Sequence, residues 1–154
     1  MKKTVGIALA IAAVVSAGCA GRAKEVDSHL VACPTKVAIG DVPACGKVWK
    51  LHSGEAELEK DGDLEVEVKG LVLNDPSVGQ ENGTPDGVDG VAAAVVCGGK
   101  VAAQTAVVPL SKQGDAKIKT KVTVPSDCAK PVVVLREHLE GGDIGGWLAA
   151  SSMP

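Results

Sequence analysis

The amino-acid sequence predicts an all-β fold, a small disulfide-stapled β-sandwich of immunoglobulin-like type, with a partly open β-barrel as the alternative. Three observations predict it. Two stretches, residues 55–69 and 116–124, alternate polar and apolar side chains with the period of a strand. Seven or eight such short segments follow one another, separated by Gly, Pro, Asn and Asp turn residues. Four cysteines, at 33, 45, 97 and 128, fall among them.

The elements come in this order. Val48, Lys50 and His52 alternate against Trp49 and Leu51 as a first strand. In residues 55–60, Ala56 and Leu58 share one face and Glu55, Glu57 and Glu59 the other. Asp61 and Gly62 suit a two-residue type I′ turn. Leu64, Val66 and Val68 then point inward, with Glu65, Glu67 and Lys69 outward, and Gly70 marks a bulge before Leu71, Val72 and Leu73. Such clean alternation belongs to a sheet with one wet face, which favours antiparallel pairing. A long loop spans residues 74–90, and residues 91–97 read as a buried strand. Gly98 and Gly99 turn the chain into residues 101–110, and a turn at 111–115 leads to the second alternating strand. There Ala116, Ile118, Thr120, Val122 and Val124 oppose Lys117, Lys119 and Lys121. After a break at 125–131, residues 132–136 form another strand, glycines 141, 142, 145 and 146 a loop, and residues 147–150 the last strand.

The chain has no Phe, no Tyr and only two Trp, Trp49 and Trp147, so its core is built from Val, Ala, Leu and Ile. Those side chains make a thin core without aromatic stacking, and disulfides commonly offset that in small exported domains. Four cysteines allow three pairings. Cys33 with Cys45 and Cys97 with Cys128 is the favoured one: the first is a local clip, and the second ties the end of one strand to the loop before another. Each closes a loop worth about 3 to 4 kcal/mol by chain entropy.

The N-terminus has its own pattern. Lys2 and Lys3 precede a charge-free apolar run over residues 5–15, and Ser16, Ala17, Gly18 and Cys19 follow. The run is shorter than the roughly 20 residues a spanning helix needs, and the layout is that of a helical export signal. Val15 to Cys19 resembles the lipobox of bacterial lipoproteins, with Ser16 where that family more often has Leu or Val. The resemblance implies that residues 1–18 are removed, that Cys19 carries diacylglycerol and an N-terminal acyl chain such as palmitate, and that the protein is exported and lipid-anchored to the bacterial cell membrane or outer membrane. Ordinary cleavage after Ala20 or Ala23 would instead give a freely secreted domain. The fifth cysteine supports lipidation, because setting Cys19 aside leaves four that pair evenly. Residues 19–32 read as a flexible tether and residues 33–154 as one domain.

Without Lys2 and Lys3 the chain has 14 Lys and Arg against 19 Asp and Glu, a net charge of −5. That argues against nucleic acid as a partner, because phosphate binding needs a clustered basic face. No Ser-centred nucleophile elbow, HExxH or phosphate-cradling glycine loop occurs, so no catalytic residue and no cofactor is expected. His29, Cys33, Cys45 and His52 lack CxxC spacing, and disulfides are the expected state of exported thiols, so no metal is assigned to them. Loop 74–90 carries Asp75, Glu81, Asp86 and Asp89 among glycines, which makes calcium chemically conceivable without EF-hand spacing. The lysine row 117, 119 and 121 either meets an anionic surface or is a solvated strand face. His138 reads as part of a surface cluster with Arg136, Glu137 and Glu140.

Gly54 to Leu58, Leu64 to Leu73, Cys97 and Cys128 flanking Gly114 to Ile118, and Gly146 to Ala150 loosely resemble small uncharacterised secreted bacterial β-sandwich proteins. The resemblance implies a fold and no activity. The functional expectation is a non-enzymatic envelope lipoprotein, a binding or structural module touching the membrane through its lipid, with an envelope protein or polysaccharide as partner. An envelope protein binding calcium or a transition metal is the alternative.

Overall fold

The computed structural model describes residues 23–34 and 36–153. The signal and Cys19 lie outside the described residues. One sheet contains β1 (Lys24–His29), β4 (Ser53–Glu59), β5 (Asp63–Lys69) and β10 (Ala116–Lys121), in the order β1-β4-β5-β10. The second contains β2 (Val31–Ala32), β12 (Ile144–Ala150), β11 (Val132–Leu139), β7 (Val88–Cys97) and β8 (Lys100–Gln104), in the order β2-β12-β11-β7-β8, with β9 (Val108–Pro109) also on β7. A two-stranded ribbon joins β3 (Trp49–Lys50) to β6 (Val72–Leu73). The pairings are antiparallel, and the sheets do not close into a barrel. The chain is a β-sandwich.

One hydrophobic core joins both sheets. Ala56, Leu58, Leu64, Val66, Val68 and Ile118 supply the first sheet's side, each almost wholly buried. In the second sheet, register puts Val91, Ala93, Val95, Val133, Leu135 and Ala149 on one face. Ala92, Ala94, Val134, Arg136, Trp147 and Ala150 share the other. β7 is buried at every position from Gly90 to Val96, so both of its faces are covered. The segment closed by Cys33–Cys45 packs onto this sheet at β12 and at the turn after β7, where Cys33 N–H bonds to Leu148 O (2.8 Å) and Asp41 N–H to Gly99 O (2.8 Å). Trp147 donates its indole N–H to Val37 O (2.8 Å) and its backbone N–H to Pro43 O (3.0 Å). The Cys97–Cys128 bridge also forms, so the favoured pairing is the one present.

Several local expectations are corrected. The domain begins well before Cys33: β1 pairs with β4 and β2 with β12, which leaves residues 24–32 no part of a tether. Val26 and Leu30 are buried and anchor that stretch. The turn after β4 is not type I′, which needs positive φ at both central residues. Gly62 has φ 91°, but Lys130 is the only non-glycine with positive φ among the described residues, and the Gly62 N–H closes onto Glu59 O at 2.9 Å. This is a type I turn followed by a left-handed glycine. Gly70 (φ 64°) is an exit and not a bulge: its N–H donates to Asp115 Oδ1 at 2.9 Å, and the chain leaves the sheet to pair β6 with β3. The strand expected over 101–110 breaks between β8 and β9. Gly145 and Gly146 lie inside β12, not in a loop.

Candidate functional site: a cleft at one end of the sandwich

The sandwich has two ends. At one, β4 turns into β5 through residues 59–63, Val122 N–H reaches Gly62 O, and Cys97 meets Cys128. At the other, Leu71 N–H bonds to Gly114 O, Leu110 N–H bonds to Asp89 O, and loop 74–90 enters β7. A cleft of about 480 Å³ opens at this second end, between residues 84–89, 110–112 and Glu140. Val88 and Leu110 give it an apolar floor, and Asp86, Asp89, Lys112 and Glu140 give it charge.

A bulge builds its rim. Pairing runs His138↔Gly90 and then Leu139↔Val88, so Asp89 is an extra residue on β7. Bulges re-aim side chains, and here the Asp89 carboxylate meets His138 Nδ1 at 2.7 Å. The backbone closes in at the same place. A Cβ on Gly90 would lie 2.6 Å from Val107 Cγ1 and 2.9 Å from Val108 O. When His138 is neutral, an Nδ1–H donated to Asp89 leaves Nε2 as an acceptor; when it is charged, both nitrogens donate. Ser111 Oγ accepts from the Gln113 and Asp115 N–H groups (3.2 and 3.0 Å), so it caps its own turn. Such a cleft suits polar recognition over an apolar floor.

The other acids of loop 74–90 diverge. Asp75 caps the 3-10 helix Pro76–Glu81, accepting from Ser77 N–H (3.0 Å) and Ser77 Oγ–H (2.6 Å), and those bonds lower its carboxyl pKa. Glu81 pairs with Lys47 at 3.4 Å. Only Asp86 and Asp89 reach the cleft. The group of carboxylates close enough to share a metal, among the described residues, lies elsewhere, at Glu59, Asp61 and Asp63. Lys121 Nζ sits 3.5 Å from Asp61 and 3.3 Å from Asp63, supplying a positive charge already. Cys33 and Cys45 are disulfide-bonded, so they offer no thiolate to His29 or His52.

The expected cluster around His138 is dispersed by strand alternation. Arg136 donates to Gln104 Oε1 (2.7 Å) and Gly145 O (2.9 Å), and burial lowers its pKa. Glu137 points to the opposite face, where its Oε1 accepts the Gly146 N–H at 3.0 Å. It borders a second hollow of about 230 Å³ with Trp49, Leu73 and Lys47.

The lysine row faces carboxylates in its own sheet. Register sets Lys117 opposite Glu67, Lys119 opposite Glu65 and Lys121 opposite Asp63. Lys117 contacts Glu65 (2.7 Å) and Glu67 (3.0 Å), and Lys119 contacts Glu65 (2.9 Å). Hydrogen bonds from Lys117 and Lys119 lower the Glu65 carboxyl to about 2, and those from Glu65 and Glu67 raise Lys117 to about 12. β4 opposes Glu55 to Glu67 and Glu57 to Glu65, Lys69 pairs with Glu67 (3.3 Å) and Lys24 on β1 with Glu57 (3.0 Å). Lys24, Lys69, Lys117, Lys119 and Lys121 thus answer Asp27, Glu55, Glu57, Glu59, Asp63, Glu65 and Glu67, and the face stays mildly acidic. That disfavours an anionic surface as its partner. The Asp89–His138 pair had no sequence signal, because only the bulge brings residues 49 apart together. No protein-family model, curated protein or solved structure matches this chain.

Proposed function

We propose that the chain is an exported bacterial envelope lipoprotein, held to the membrane by acyl chains on Cys19, whose sandwich is a non-enzymatic binding or structural module. The carrying observation is the cysteine arrangement. Four of five cysteines pair with one another in two bridges, which leaves Cys19 without an intrachain thiol partner. That is the state a lipidated cysteine requires, and the charged, apolar and small-residue layout before it fits the same processing. The two disulfides themselves are consistent with an extracellular or periplasmic location. Two or more acyl chains hold a protein stably to a bilayer, whereas one is marginal. The cleft beside Asp89 and His138 is the surface we assign to an envelope protein or polysaccharide.

Intact-mass and N-terminal peptide analysis of the protein purified from bacterial membranes tests this. The expected mature chain starts at Cys19 and carries diacylglycerol, and Cys19→Ala abolishes that modification. A mature chain that starts after Ala20 or Ala23 with unmodified mass would overturn the proposal in favour of a freely secreted domain.

A further inference from the structure

We infer that the sandwich stands on the bilayer by its 59–63 turn end and holds the cleft beside Asp89 and His138 away from the membrane; this rests on the lipid-anchored reading. Ala23 O accepts the Lys60 N–H at 3.0 Å, so the N-terminal end of the described domain is fastened to the turn between β4 and β5. Cys19 precedes Ala23 by four residues. Whatever path those residues take, an extended chain covers at most about 15 Å in four steps. The turn end therefore stays within that distance of an anchored Cys19.

Strand direction fixes what lies at the far end. β4 and β10 run toward the turn and β5 runs away from it. After β10 the chain bonds Val122 to Gly62, passes Cys128 at its bridge to Cys97, and starts β11. β11 then climbs to His138, beside the start of β7. β5 has seven residues and β7 ten, about 20 to 30 Å of strand at ~3.3 Å per residue, and this separates the two ends. The cleft cannot share the anchor's end.

Charge opposes the alternative in which the domain lies down on its first sheet. The outer face of that sheet sets the seven carboxylates of Asp27, Glu55, Glu57, Glu59, Asp63, Glu65 and Glu67 against the five lysines Lys24, Lys69, Lys117, Lys119 and Lys121, a net negative face. Bacterial lipid surfaces rich in anionic headgroups repel such a face, because the negative surface potential attracts lysine and arginine. The turn end adds Lys60, and there Lys24, Lys60 and Lys121 balance Glu59, Asp61 and Asp63, so that end carries no net charge to repel the bilayer.

The test uses the lipidated protein inserted into preformed phosphatidylcholine and phosphatidylglycerol vesicles that contain a lipid with a photoreactive carbene source on its headgroup. Irradiation and peptide mapping locate the adducts. Peptides covering residues 23–24, 59–63 and 121–131 should carry at least about threefold more adduct than those covering 84–89, 110–112 and 138–143, because headgroup reach is short against a ~20 Å strand. Equal yields at the two ends, or a maximum along Glu55, Glu57, Glu65 and Glu67, overturn the orientation while leaving the anchor intact. Intact mass of the same sample separates the two failures. An unmodified N-terminus overturns the anchored reading and the orientation together.

Discussion

Gly146→Ala is a direct probe of how the Cys33–Cys45 segment is fastened. Gly146 does not have positive φ, so alanine is acceptable to the backbone, but its Cβ would lie 2.3 Å from Ala44 O, 2.7 Å from Ala44 C and 2.9 Å from Pro43 O. All three are backbone atoms, and Cys45 beside them is bridged to Cys33. No side chain can swing aside, so the segment itself must lift. That breaks the Trp147 N–H bond to Pro43 O and strains the indole bond to Val37 O. A hydrogen bond contributes about 0.5–1.5 kcal/mol net, and a buried donor left without a partner costs about 1–3 kcal/mol. Trp147 is fully buried, so the loss should be about 2–5 kcal/mol of a total near 5–15 kcal/mol. Urea unfolding under oxidising conditions measures it, and hydrogen exchange at the Trp147 amide and indole locates it. Gly46→Ala is the control: nothing lies within 4 Å of its Cβ position, and a change below about 0.5 kcal/mol is expected. If Gly146→Ala is as mild as the control and Trp147 exchanges no faster, the close approach of the segment to β12 is wrong.

Two further outcomes follow from the sheet and the bridges. Glu65 is lowered to about 2 by Lys117 and Lys119, and a carboxyl lowered on folding adds stability that is present above its unfolded value, near 4.3, and is lost as pH falls toward 2. Lys117→Gln should therefore flatten the fall in urea midpoint between about pH 4.5 and 2; an acid limb as steep as the parent's would remove the ladder from the account. Removing Cys97–Cys128 as paired alanines should cost about 4 kcal/mol and removing Cys33–Cys45 about 3 kcal/mol, since the loops differ in length. The separations are 31 and 12 residues. Denaturation of both variants checks the order, and a larger loss from the shorter loop would show that native contacts, not chain entropy, dominate.

What the sequence discloses depends on how each strand is wetted. β4 and β5 were legible because one face is core and the other is water, so Ala56, Leu58, Leu64, Val66 and Val68 alternate with charge. β1 was not, because an edge strand whose only buried residue is Val26 has no period to read. β7 and β12 are buried on both faces, so they read as apolar runs with no indication of which face meets which partner. Gly145 and Gly146 looked like loop residues for a related reason. Their missing side chains answer neighbours distant in sequence: Glu137 Oε1 at 2.4 Å and Ala44 O at 2.3 Å from the would-be Cβ atoms. The lysine row was visible as a face, but the fact that it is matched by β5 carboxylates needed the register.

The same distinction explains why the cleft was the hardest part to foresee. Its chemistry depends on one residue out of step, Asp89, which periodicity treats as noise and the sheet turns into a contact with His138. The surrounding segments are held by hydrogen bonds: Asp115 to Gly70, Leu110 to Asp89, and Thr84 to Glu81 and Asp86. Neither disulfide has a cysteine within 84–90, 108–115 or 138–144. Free energies of local opening vary across a fold and are lowest where exposed backbone bonds do the holding. Cys97–Cys128 thus ties the end nearer the chain's start, whereas the cleft end rests on these hydrogen bonds and on Lys47, near Cys45 in the chain, pairing with Glu81.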